Sequence, residues 1–185
     1  MIQVHFHFSI FGFSNCYVVG PEEGGPSIII DPGQMSVPLL RTIEDNHYKP
    51  VSALITHSHP THVQGLGTLL KIYPLEVFAA SESASTGSTI VDGTPIRPAG
   101  IEIDPIVIGG HSFDSVVYRI GSALFTGDVL GAGTLGPAPN AYAGALMVET
   151  IRARLFALPG DYLVFPGHGP PSTLEAERRL NPAFL

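Results

Sequence analysis

Three histidines fall within six positions in Thr56-His57-Ser58-His59-Pro60-Thr61-His62, directly after the apolar run Val51 to Ile55. This is the strongest constraint on the fold. His57 and His59 are two apart in a segment leaving a strand, and the period of two sends both imidazoles to the same side. His62 follows a proline-containing turn that lets its ring come back toward the same place. One isolated histidine is usually a surface or a satisfied core residue. Three so close together, among eight in the chain, point to a transition-metal site, for which neutral imidazole is the commonest ligand.

Three later stretches have the same build, a potential ligand beside glycine after an apolar strand. They are Gly109-Gly110-His111-Ser112, Phe125-Thr126-Gly127-Asp128 and Phe165-Pro166-Gly167-His168-Gly169. Taken singly each is a weak signal: His111 alone reads better as an ordinary surface or core histidine, and the bland reading of Gly127-Asp128 is a turn. Composition narrows the partners. A net charge of −7 and the lack of any Lys/Arg cluster disfavour nucleic acid, whose phosphates need a cationic footprint. No stretch approaches the roughly 18–20 apolar residues of a membrane span, and the alternating N-terminus lacks the apolar run of a signal peptide. Cys16 is alone, which excludes an intramolecular disulfide and a thiolate metal cage. A reducing, cytoplasmic setting and a small-molecule substrate are the expectation, with the oligomeric state left open.

With 44% apolar and 14% charged residues the chain can bury a core, and 185 residues suit one domain or two intimately packed halves. Strands are expected at 2–8, 15–19, 27–31, 51–56, 75–79, 101–108, 115–120, 123–126 and 162–165. The run Ile28-Ile29-Ile30 fits a strand covered on both faces. Helices are expected from Ser36 with Leu39, Leu40 and Ile43 on one side, after the histidine motif through Leu69 and Ile72, near 146–158, and at the end with Thr173, Glu175 and Glu177. A Ser-rich piece follows the 75–79 strand. His47 reads as a helix end, and His5 and His7 as solvated strand residues. A strand-rich stretch with a helix, twice over, is best accommodated by two packed sheets with outer helices.

In order and spacing these pieces resemble the metallo-β-lactamase superfamily, and within it the short bacterial glyoxalase II-like hydrolases. The likeness rests on Asn15-Cys16-Tyr17, Ile30-Asp31-Pro32-Gly33, the Thr-His-Ser-His-Pro-Thr-His motif, Gly110-His111, Phe125-Thr126-Gly127-Asp128 and His168-Gly169-Pro170-Pro171-Ser172-Thr173. The tail Glu177-Arg178-Arg179-Leu180-Asn181-Pro182 adds to it. The resemblance implies an α+β architecture, an αββα sandwich of two mixed sheets packed face to face with helices outside, formed by residues 1–185 as a single domain. It implies that His57, His59 and His111 bind a first metal, with Asp128 bridging to a second held also by His62 and His168. Asp31 would be a buried carboxylate orienting the His-rich loop, although a turn-forming Asp before Pro is nearly as good a reading.

One departure matters. The family motif has Asp immediately before its third His, where this chain has Thr61, a neutral hydroxyl in place of an anionic ligand. The first site keeps a full set for Zn²⁺, and the second loses a ligand and a charge. One tightly bound zinc is therefore expected, with the second ion weak or absent, and with iron or manganese as alternatives. Asp114 near His111 is a compensating carboxylate or a turn residue tolerating a left-handed backbone. Relatives often carry Gly-Arg after the Asp128 position, where this chain has Leu135-Gly136-Pro137-Ala138-Pro139. The expected activity is metal-assisted hydrolysis of a thioester, ester or lactone, with Asp128, His62 and His168 as the acid–base residues. The alternatives are a mononuclear iron enzyme oxidising a sulfur substrate and a degenerate metal-binding member with little turnover.

Overall fold

The computed structural model describes residues 2–80 and 88–185. They fall into two compact units, Met1–Ile90 with Arg97–Ile101, and Val91–Ile96 with Glu102–Leu185. Most of the Ser-rich piece lies outside the described residues.

The first unit holds β1 (Ile2–Phe8), β2 (Asn15–Pro21), β3 (Gly25–Ile30), α1 (Val37–Asp45), β4 (Tyr48–Leu54), α2 (Pro60–Val63), α3 (Leu66–Ile72), β5 (Glu76–Ala79) and β6 (Ser88–Thr89). The strands form one six-stranded sheet in chain order, antiparallel from β1 to β3 and parallel from β3 to β6. Ile28, Ile29 and Ile30 are all fully buried. Ile29 joins Cys16, Val18 and Ala53 in a core cluster closed by Leu39 and Ile43 of α1 and Leu69 of α3. Each such aliphatic side chain contributes about 1.5–3 kcal/mol on burial. Ser36 caps α1 by accepting from the Leu39 amide at 3.3 Å.

Strand β4 starts at Tyr48, before the expected 51. Proline has no N–H for a ladder, and the sheet absorbs Pro50 with a register shift: Ser27 pairs with Pro50 but Ile28 pairs with Ser52, so Val51 is the extra residue. His5 and His7 are half-buried, not freely solvated. His5 Nε2 lies 3.0 Å from the Tyr48 hydroxyl and His7 Nε2 2.9 Å from Ser36 Oγ, where burial lowers the His7 pKa. His47, just past the C-cap Asn46, has φ +54, a helix-stop conformation.

The second unit holds β7 (Asp104–Val107), β8 (Val116–Ile120), β9 (Ala123–Gly127), α4 (Ala141–Arg154), β10 (Leu163–Pro166), β11 (Ser172–Thr173) and α5 (Leu174–Leu180). Its sheet runs β11-β10-β9-β8-β7, with only β9 and β10 parallel. Its core gathers Val117, Leu124 and Val164 with Met147, Ile151 and Leu155, which are spaced by four along one side of α4 and its exit. That helix spans 141–154 instead of 146–158. Asn140 starts it early by accepting from the Ala143 amide at 2.9 Å, and Leu155 to Leu158 continue as turns. Asn140→Ala is expected to cost about 1 kcal/mol, lowering Tm by about 2–4 °C in a thermal melt. An unchanged Tm would mean the cap is redundant.

Among the described residues no helix is long and apolar enough to cross a membrane.

Candidate metal centre

In the first unit the site grows from two parallel neighbours. Ile30 of β3 pairs with Leu54 of β4, so the residues after each strand emerge at the same sheet edge. There Asp31, 2% exposed, meets Thr56 and the histidine motif. Asp31 Oδ1 accepts from the Thr56 amide at 2.8 Å, and Oδ2 accepts from the Thr56 hydroxyl at 2.6 Å and from His62 Nδ1 at 3.0 Å. Asp31 has φ +51, a left-handed conformation that Asp tolerates better than most residues. Gly33 follows because the Thr61 carbonyl crosses so close that a Cβ there would sit 1.8 Å from its oxygen.

These bonds fix proton positions. The Thr56 hydroxyl gives its hydrogen to Asp31, so its oxygen must accept from His57 Nδ1, 3.1 Å away. One carboxylate thus places the proton on Nδ1 of His62 directly and of His57 through Thr56. The Nε2 of each ring carries its lone pair outward, the form a metal requires. His57 Nε2 lies 3.0 Å from His59 Nδ1, and the His57 ring centre is 4.6 Å from that of His59 and 4.3 Å from that of His62. The three motif imidazoles are therefore gathered together.

Thr61 takes no part in this gathering through a charge. Its carbonyl accepts from Ser14 Oγ at 2.7 Å, and its methyl lies against the α-carbon of Gly12. Cys16 is buried, and burial, with the Asp31 charge second, pushes its thiol pKa far up. It stays protonated and is no ligand.

The second unit repeats the construction. Parallel strands β9 and β10 end side by side, with the Gly167 amide donating to the Gly127 carbonyl at 2.7 Å, so Asp128 and His168 leave the sheet together. Strand β8 is antiparallel to β9, which puts the β7–β8 connection carrying His111 at that same edge. Asp128 Oδ2 is 3.5 Å from His111 Nε2 and 3.5 Å from His168 Nε2. His111 Nδ1 is 2.8 Å from the Pro137 carbonyl, which can only accept, so Nδ1 carries the proton and Nε2 the lone pair. A carboxylate oxygen and an imidazole lone pair then face each other. Two acceptors in that relation need a cation or an added proton between them, and nitrogen and oxygen donors of this kind suit a transition metal.

Two contributors escaped the sequence reading. Thr56 acts by relaying the Asp31 charge, and Pro137 acts through its backbone carbonyl, which no side-chain pattern announces. Gly136 belongs with them. A Cβ there would lie 2.1 Å from the Asp128 carbonyl oxygen and 2.8 Å from His111 Nδ1. Asp114 is buried in a turn and accepts from Ser112 Oγ at 2.8 Å; it is not among the residues with positive φ, so the turn does not use a left-handed backbone there.

A model of the metallo-beta-lactamase superfamily matches residues 9–108, more than half of the chain. An uncharacterized protein of Mycobacterium tuberculosis is 30% identical over 91% of both chains. This chain belongs to the metallo-β-lactamase superfamily. A hydroxyacylglutathione hydrolase of Erwinia tasmaniensis is 34% identical to it over 80% of this chain and 59% of that protein. The crystal structure of TTHA1623 in a di-iron-bound form is 27% identical, with a TM-score of 0.78, covering 98% of this chain and 100% of that one. Two mixed sheets with helices, as found here, are the α+β sandwich fold of the superfamily.

Proposed function

We propose that this metallo-β-lactamase superfamily member is a metal-dependent hydrolase of a small thioester, ester or lactone. The observation that carries the reading is Asp128 Oδ2 set 3.5 Å from two imidazole nitrogens, one of them with its lone pair directed at the carboxylate. Support also comes from the hydrolase of Erwinia tasmaniensis, of whose length this chain spans 59%. In this reading, which follows the superfamily's motif positions in the sequence, His57, His59, His111 and Asp128 would hold one ion, His62, His168 and a share of Asp128 would offer a poorer second place, and residues 1–185 would act as one domain. Zinc fits three imidazoles and a carboxylate. The di-iron form of TTHA1623 makes iron the alternative to test.

A transition metal held there would bring the pKa of water down to roughly 7, giving a nucleophile near neutral pH, and would polarise a carbonyl. Asp128 would orient the attacking water and take its proton. Water oxygen adds to the carbonyl carbon, the C–O or C–S bond breaks, and the leaving alkoxide or thiolate recovers a proton. Where not engaged with metal, His168 would donate to the tetrahedral oxyanion or serve as a base, and His62, whose Nδ1 proton faces Asp31, would serve as a base through Nε2.

Thr61 sets the stoichiometry. Protein purified without chelator is expected to hold about one ion per chain by elemental analysis, because the second place loses the anionic ligand that Thr61 replaces and keeps only a share of Asp128. Thr61→Asp should raise this toward two. Two ions per wild-type chain would contradict the role given to Thr61. His59→Ala should remove metal and hydrolysis of a thioester and ester panel together; hydrolysis surviving it would reject the scheme.

A further inference from the structure

Beside the donors of the second unit lies a pocket of about 220 Å³, lined by Asp128 and His168 and otherwise by uncharged residues, chiefly Thr134, Leu135, Pro137 and Pro166. It is smaller than the roughly 300–1,000 Å³ of sites enclosing drug-sized ligands. Apart from an ion on Asp128 and His168, the arginines and several loop amides of the second unit that could hold an anion are already engaged. The second unit has no lysine, and each of its arginines is tied elsewhere. Arg119 pairs with Asp104, and Arg154 with Asp92 and the Val107 carbonyl. Arg152 donates to the Phe184 carbonyl, Arg178 to the carbonyls of Leu158 and Gly160, and Arg179 pairs with Glu175.

The loop amides are engaged as well. The Gly131 amide donates to the Thr134 carbonyl and Thr134 returns the bond, Gly133 donates to Glu177, and Gly136 to the Asp128 carbonyl. A carboxylate reaching past the ion that Asp128 and His168 would hold would lose its hydration with no lysine, arginine or these amides of the second unit to replace it. An apolar chain would instead meet Leu135 and the two prolines.

We infer that this pocket takes the acyl group of the substrate and selects short, uncharged, apolar chains over carboxylate-bearing ones, Leu135 setting its length and the lack of a cation at Thr134 its charge preference. The inference rests on the hydrolase reading for the word acyl, and on the pocket alone for size and charge.

The test uses the metal-loaded full chain with p-nitrophenyl acetate, butanoate and hemisuccinate, and ligand-observed NMR with the non-hydrolysed amides butyramide and succinamate. We expect kcat/KM for butanoate to exceed that for hemisuccinate by at least about tenfold, and butyramide but not succinamate to bind. Leu135→Trp, filling the pocket, should lower kcat/KM for butanoate several-fold more than for acetate and remove butyramide binding. Thr134→Arg, at an exposed position that spares the core if Leu135→Trp fails to fold, should raise kcat/KM for hemisuccinate by about tenfold. Hemisuccinate preferred or equal in the wild type, or succinamate binding as well as butyramide, overturns the inference and leaves the hydrolase intact. Selective butyramide binding with no ester or thioester turned over supports the pocket's preference and sinks the hydrolase reading instead.

Discussion

Asp128→Asn is expected to cut metal content to near zero and turnover of any ester or thioester by at least about 10³-fold, while the apo protein melts within a few degrees of wild type. The substitution keeps the shape of the side chain and removes its charge. In the proposed scheme that carboxylate is a ligand of the tightly held ion, is shared with the weaker second place, and is the group that takes the proton from water. Loss of a positioned base alone costs about 10²–10⁴-fold, before the loss of metal is counted. An amide would also present an NH₂ to one of the two imidazole nitrogens that lie 3.5 Å from Oδ2, where a donor cannot share a cation. Equilibrium dialysis against zinc, followed by elemental analysis, reads the first effect, and initial rates read the second. A variant that keeps both its metal and its rate would leave the scheme without its central residue.

Asp31 gives the second large effect, and two substitutions separate its two roles. Asp31→Ala strands three buried donors, the amide and hydroxyl of Thr56 and Nδ1 of His62, and imposes φ +51 on a residue that resists it. Removing one side of a buried, charged hydrogen-bonded group costs about 3–5 kcal/mol. At about 2–4 °C per kcal/mol for a chain of this length, Tm should fall by on the order of 10 °C.

Asp31→Asn tolerates the left-handed backbone but offers only one acceptor oxygen. Its NH₂ would face the Thr56 hydroxyl and His62 Nδ1, and would drive the proton of His62 from Nδ1 to Nε2, the nitrogen assigned to metal. Metal affinity should drop by about 10–100-fold, the usual penalty for losing a ligand's orienting partner, with a smaller loss of Tm than in Asp31→Ala. Unchanged affinity in Asp31→Asn would show that the carboxylate supports the loop without setting its tautomers.

The sequence made the skeleton of the site readable for local reasons. The spacing of His57 and His59 carries direction by itself, because alternate residues leaving a strand point the same way. The Ile28–Ile30 run, the Ser36 cap and the strands expected at 15–19 and 27–31 likewise state their structure within a few residues.

What stayed hidden depends on partners distant in the chain. Nothing around Pro137 marks its carbonyl as the acceptor for His111 Nδ1, 26 residues away. Thr56 looks like any strand-end threonine until β3 is set beside β4 and Asp31 comes within reach. The two-residue strands β6 and β11 are too short to leave a periodic signal. Pro50 hid the start of β4 because the bulge that accommodates it is decided by the neighbouring strand.

The parallel pairing of β9 with β10 has a consequence for how the second unit assembles. Between those strands the chain must form α4 and return, so Asp128 and His168 stay apart until that late, non-local ladder closes. An ion arriving early finds no complete nest and cannot template the collapse. The buried packing of α4 on its sheet is available to this half without any ion, and in the proposed scheme a metal would meet a cradle already closed by the β9–β10 ladder.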